Sequence, residues 1–192
     1  MKGTRVVVAF LDATVLYPAF LRDLFMRLAV FGVFRANWSA RVQDEWTIAL
    51  LRNRPDLART LVERTRQLMD AHFPEALVVG YEHRIELITL PDADDRHMAA
   101  AAIHCGATAI VTANLRHFPA AALAPYNVAA VHPDAFVLGL LENNREQTLL
   151  ALHALRNSFA NPRKSAADLL DAMRRHRLLE SADALLAFID LL

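Results

Sequence analysis

The sequence predicts an open, mostly parallel α/β sheet flanked by helices, a three-layer α/β/α arrangement, with an all-helical extension at its C-terminal side. Three observations carry this. As far as residue 132, short β-branched runs alternate with longer segments of helical periodicity, the pattern of strands joined by crossover helices. Beyond residue 132 only helical periodicity is found. Acidic and amide side chains fall at or just past the carboxyl ends of the strand candidates, where open α/β sheets bind their ligands.

Residues 5–11, RVVVAFL, read as a buried parallel strand, apolar on both faces and closed by Asp12. Over residues 18–34 the positions Phe20, Leu21, Leu24, Phe25, Leu28 and Phe31 recur at helical spacing. Ser39 is placed to cap a second helix, SARVQDEWTIALLRNR, and Pro55 to open a third that runs to about His72. RIELITL, residues 84–90, is the expected second strand, ended by Pro91. DDRHMAAAAIHCG makes a helix with an acidic first turn and a glycine stop. ATAIVTAN and NVAAV supply the third and fourth strands.

Pro133 can start a helix, and REQTLLALHALRNSF, SAADLLDAMRRHRLL and SADALLAFIDLL all have helical periodicity, with ANPRK linking two of them. The expected division is therefore an α/β domain over residues 1–132 and a helical extension over residues 133–192. The extension is too small and too apolar to stand alone, so it is expected to pack on the first domain or on a second chain.

The 192 residues are 55% hydrophobic and 22% charged, a globular composition, and the formal net charge is zero. That excludes a polyelectrolyte coat protein and leaves nucleic-acid contact to a local patch. The basic residues are almost all arginine; Lys2 and Lys164 are the only lysines. The single cysteine, Cys105, excludes an intramolecular disulfide and reads as a small buried apolar residue. VVVAFL is too short for a secretory core, and Arg22, Asp23 and Arg27 interrupt the only long apolar stretch. The expectation is a cytoplasmic protein with no membrane association.

Four groups could carry chemistry. Asp12 ends the first strand; Asp92, Asp94 and Asp95 follow the second; Asn114 ends the third, with His117 beyond it; and Glu45 lies in the second helix. Singly, each has a plain structural reading as a cap, a first-turn acid, a solvated helix residue or a turn. Converging carboxylates, however, repel one another unless a cation lies between them. Hard oxygen ligands select Mg²⁺, with Mn²⁺ possible, and such a site can activate water for phosphodiester hydrolysis.

The stretches FLDATVLYPAFLRDL, the Glu of QDEW, DDRHMAAAAIHCGATAIVT and ANLRHFP resemble, in that order, the PIN-domain family of metal-dependent ribonucleases. This family includes the VapC toxins of bacterial toxin–antitoxin pairs, and the resemblance spans roughly residues 5–132. It implies that Asp12, Glu45 and Asp95 are metal ligands and catalytic acids. It implies that Asn114 joins them in catalysis and that Thr14 orients Asp12. Asp92, Asp94, His117 and Arg41 are implied as supporting or substrate-binding residues, with Arg52 and Arg54 as further candidates for phosphate contact. RNA is the implied substrate; a small antitoxin protein and a second copy of the chain are the implied partners. Many members carry a fourth acid at the position of Asn114 or His117, and this chain has none there.

Three other readings compete. LDATV is similar to the nucleophile motif of haloacid-dehalogenase phosphatases, but Thr14 stands where a second Asp is needed and both lysines are out of order. The histidines His72, His83, His97 and His104 form no H-E-x-x-H zinc motif. The third is a catalytically weak or inactive module of the same fold that binds RNA or a protein partner.

Overall fold

The computed structural model describes residues 6–159 and 162–192. Five strands, β1 (Val7–Leu11), β2 (Phe34–Ser39), β3 (Leu77–Val78), β4 (Ala109–Val111) and β5 (Ala129–Val131), form one sheet in the order β3-β2-β1-β4-β5. Every neighbouring pair is parallel. Parallel neighbours require crossovers. Helices α1 (Ala13–Leu16) and α2 (Ala19–Val30) join β1 to β2, α3 (Ala40–Asn53) and α4 (Arg59–His72) join β2 to β3, and α5 (Arg96–His104) leads into β4. α6 (Ala120–Leu123) lies between β4 and β5. Then come α7 (Pro133–Asn143), α8 (Arg145–Ser158), α9 (Ala166–Arg175) and α10 (Leu179–Leu185).

The strand order has one consequence for function. The chain works outward from β1 to β3, then returns to the other side of β1 for β4. With right-handed crossovers, the helices before and after that reversal cover opposite faces. The reversal puts a crevice between the carboxyl ends of β1 and β4, the switch point where such sheets bind ligands.

The central strands are buried at their carboxyl ends, with Phe10, Leu11, Ile110 and Val111 at zero exposure. α5 packs on β1, β2 and β4. Its AAAA run, Ala99 to Ala102, has no exposed surface, as expected of a helix enclosed on all sides. A polar network sets the rotation of α3: Trp46 Nε1 donates to Gln43 Oε1 at 2.6 Å, while Gln43 Nε2 and Trp38 Nε1 both donate to Asp70 Oδ1. Buried Arg22 donates to the Leu16 carbonyl at 2.7 Å and lies over the Trp46 ring, joining α1, α2 and α3.

The extension packs on its own α/β domain. α8 lies along α2, and the α7 residue Phe136 stacks on Phe25 at 6.0 Å and meets Phe34 edge-on at 5.2 Å. The buried carboxylate of Asp134, at the start of α7, accepts the Glu180 and Ser181 N–H groups, both at 2.8 Å, and so caps α10 from a distance. Among the described residues no helix is long and apolar enough to cross a membrane.

Several elements differ from expectation. RIELITL is not a strand: residues Glu82–Leu87 form a 3₁₀ turn against α5, and the edge strand is Leu77–Val78. Its alternation misleads, because Leu87 is exposed while Tyr81, Ile88 and Leu90 point inward. β2 departs from the expected strands altogether; the polar residues Arg35 and Asn37 mask a strand in which every position but Arg35 is buried. The helix before it stops at Val30, where Gly32 takes φ +69°. Pro55 opens a turn and not a helix, and α4 begins at Arg59. α5 starts only after Asp95, behind a 3₁₀ turn over Ala93–Asp95. Arg5 and the first two residues of ANPRK lie outside the described residues.

Candidate active site

Asp12 stands at the crevice between β1 and β4. Its N–H donates to the Val111 carbonyl at 3.1 Å, and its side chain is 3% exposed. It occupies the N-cap position of α1, yet its carboxylate makes no capping bond, so helix termination does not explain it. Thr14 Oγ1 and Thr112 Oγ1 both donate to Oδ2, each at 2.6 Å. Burial pushes the Asp12 carboxyl above its ordinary value; the bonds from Thr112 and Thr14 pull it down, and the charge of Glu45 pushes it up again.

The same two hydroxyls fasten the loop after β4. Thr14 Oγ1 accepts from the Ala113 N–H at 3.1 Å, and Thr112 Oγ1 from the Asn114 N–H at 2.9 Å. The loop carrying Asn114 and His117 is thereby tied to Asp12. Asn114 contributes its backbone to this lock, and its side chain is exposed.

Glu45 lies on α3, in a groove of about 350 Å³ that it shares with Thr14, Tyr17, Trp46 and Asn53. Its Oε1 is 3.0 Å from Nε2 of His97, a residue only 1% exposed, and accepts from Arg41 Nε at 3.3 Å. Arg41 Nη2 also donates to the Asp94 carbonyl at 3.3 Å, linking α3 to the acidic turn. Arg52 lines the outer side of α3 with Arg41, whereas Arg54 is taken up by a bidentate pair with Asp56.

In the acidic turn, Asp92 Oδ1 accepts the Asp94 N–H at 2.9 Å. Asp95 Oδ2 is 2.7 Å from His117 Nδ1. Asp92, Asp95 and His117 each bring one potential ligand atom to within 4.8 Å of the others. The expected residues thus fall into three groups, Asp12 with Thr14, Glu45 with Arg41, and Asp92 and Asp95 with His117, and the carboxylates of Asp12, Glu45 and Asp95 do not all come within 4.8 Å of one another. The Asp94 side chain joins none of them. Two neighbours were not foreseen. Thr112 looks like an ordinary strand-end residue, and His97 reads as packing until its Glu45 contact is seen; its place two residues after Asp95 was the only signal.

The PIN domain family matches residues 8–116, and the VapC50 C-terminal domain family matches residues 133–187. Among curated proteins, the "Putative ribonuclease VapC50" of Mycobacterium tuberculosis (strain ATCC 25618 / H37Rv) is 42% identical over 79 residues, 41% of this chain and 47% of that protein. The match therefore spans about half of the relative's length. No solved structure matches the chain. The parallel sheet, the acids around its switch point and the family match over more than half of the sequence agree: this chain belongs to the PIN-domain family and carries behind it a segment similar to the C-terminal domain of VapC50.

Proposed function

We propose that the protein is a divalent-metal-dependent endoribonuclease that hydrolyses RNA phosphodiester bonds in the cytoplasm, as the toxin of a toxin–antitoxin pair. The observation that carries this reading is the Asp12 carboxylate. It is buried at the switch point, has both its hydroxyl partners on Oδ2, and lies close enough to Glu45 to feel its charge. A carboxylate desolvated in a crevice, with a second acid acting on it from the neighbouring helix, calls for a compensating cation. The description of the VapC50 relative as a ribonuclease supports RNA as the substrate.

Asp12, Glu45 and Asp95 would hold Mg²⁺ or Mn²⁺, directly or through water, and a donor set dominated by carboxylate oxygen suits such ions. When bound, the ion polarises the phosphate and lowers the pKa of attacking water. Thr14 and Thr112 keep Asp12 in one orientation. His97 and Arg41 both engage Oε1 of Glu45, which leaves Oε2 to face the cation or the water it holds. The water oxygen adds to phosphorus and loses its proton to a carboxylate of the site, while one P–O ester bond breaks and the leaving oxygen takes up a proton from solvent, giving a phosphomonoester and a hydroxyl. Asn114, on the loop locked to Asp12, is the amide that orients the water or a phosphate oxygen. Asp92, Asp94 and His117 shape the acidic turn, and Arg41 and Arg52 are the phosphate contacts beside it. Leu186 and Leu191, 50% and 60% exposed at the C-terminal end, support an apolar contact with an antitoxin or a second copy.

RNA cleavage by the purified protein, in Mg²⁺, in Mn²⁺ and with chelator, tests the reading against an Asp12→Asn control. Metal-dependent cutting lost in Asp12→Asn is expected. If folded protein free of partners cuts no RNA in either ion, the chain is instead a binding module of the same fold. The His117–Asp95 pair, at a position where many relatives carry an acid, would favour that outcome.

A further inference from the structure

Resting on the divalent-cation reading above, the geometry points to a preference among ions. Among the described residues, the one set of three His, Cys, Asp or Glu ligand atoms lying mutually within 4.8 Å is that of Asp92, Asp95 and His117. One member of this set is an imidazole. Nδ1 of His117 is directed at the carboxylates, 2.7 Å from Asp95 Oδ2, while Nε2 on the far side of the ring accepts from Arg116 Nε at 3.2 Å. The ring is about one-quarter exposed and Asp95 less, so an ion can reach both. The short loop that carries His117 is anchored through Thr112 and Thr14 to Asp12. The imidazole therefore keeps its position relative to the crevice.

We propose that His117 is a nitrogen ligand, with Asp95 and Asp92, of a cation position that shares Asp95 with the Asp12–Glu45 crevice, and that it turns this position from Mg²⁺ towards Mn²⁺. Mg²⁺ demands near-octahedral oxygen coordination and dehydrates reluctantly. Imidazole suits first-row transition ions, whose affinity for nitrogen-containing sites exceeds that of the hard alkaline-earth ion. A neutral ring also brings one negative charge fewer than a carboxylate would, which weakens the purely electrostatic hold on Mg²⁺. Binding at Nδ1 displaces the hydrogen bond to Asp95. The ring proton then resides on Nε2, and Arg116, exposed at the loop surface, turns away.

The test uses the full chain stripped of metal, with Mn²⁺ and Mg²⁺ as probes. Mn²⁺ binding is followed by electron paramagnetic resonance, Mg²⁺ by competition, and pulsed measurements read the nitrogen coupled to bound Mn²⁺. Nitrogen coupling is expected in the wild type and not in His117→Asp or His117→Gln, both checked for folding by circular dichroism. The Mn²⁺-over-Mg²⁺ affinity ratio is expected to fall roughly tenfold or more in His117→Asp, the scale on which even outer partners of a ligand alter affinity. Mn²⁺ bound without nitrogen coupling, coupling that persists in both variants, or an unchanged ratio overturns this assignment and leaves the cation reading standing. A wild type that binds neither ion overturns both.

Discussion

Replacing Asp134 by Ala tests whether the helical extension is built into the fold. The carboxylate receives two N–H bonds of 2.8 Å from the first turn of α10, more than forty residues away in sequence. Ser181 is fully buried, so its stranded N–H costs about 2–3 kcal/mol when a charged acceptor is removed. Glu180 is at the surface, where water replaces the lost bond, and contributes about 1 kcal/mol. The sum of about 3–4 kcal/mol corresponds in a chain of this size to a fall in Tm of roughly 6–16 °C. Asp134→Asn, which keeps one acceptor, should lose about half as much. The loss also depends on pH. Burial pushes the Asp134 carboxyl up, but the bonds from Ser181 and Glu180 outweigh it and hold the group below its unfolded value of 3.8. Its contribution is then fully present above that value and disappears as pH falls through the lower folded one. The assay is urea unfolding followed by circular dichroism at pH 7 and at pH 3. A loss below about 0.5 kcal/mol at pH 7, the scatter of ordinary surface substitutions, would refute the reasoning.

Asp12 has the opposite sign. Its folded carboxyl is raised above 3.8 by burial and by Glu45, so the wild type loses stability as pH rises from about that value through the folded one. In chelator, Asp12→Asn should unfold at higher urea than wild type at pH 7, because it removes a buried charge. The gap should close towards pH 3; a variant less stable at pH 7 contradicts the desolvation account. His97→Ala removes the buried one of the two partners of Glu45 Oε1 and should cost about 10–100-fold in metal affinity or cleavage, measured by metal titration and by kcat and KM. His97→Gln, which restores a donor, should recover part of that, and a fully active His97→Ala would show that Arg41 alone orients Glu45.

The α/β class, the helical extension and the three acids worth testing are all legible in the order of residue types along the chain. Residues 6–11 and 109–111 could be read because a central parallel strand is buried on both faces and spells a continuous apolar run. The edges could not. Leu77–Val78 is two residues long, and RIELITL alternates as a strand does while its backbone closes a 3₁₀ turn on α5. Propensity was outweighed there by a tertiary contact. The site divides in the same way. Asp12, Glu45 and Asp95 could be picked out by type, order and place at strand and helix ends. Their partners came only with the fold, since Thr112 meets Asp12 across 100 residues and His97 meets Glu45 between two helices. A hydrogen bond over that separation leaves no local pattern, because its geometry is set by strand order and helix rotation and not by spacing along the chain.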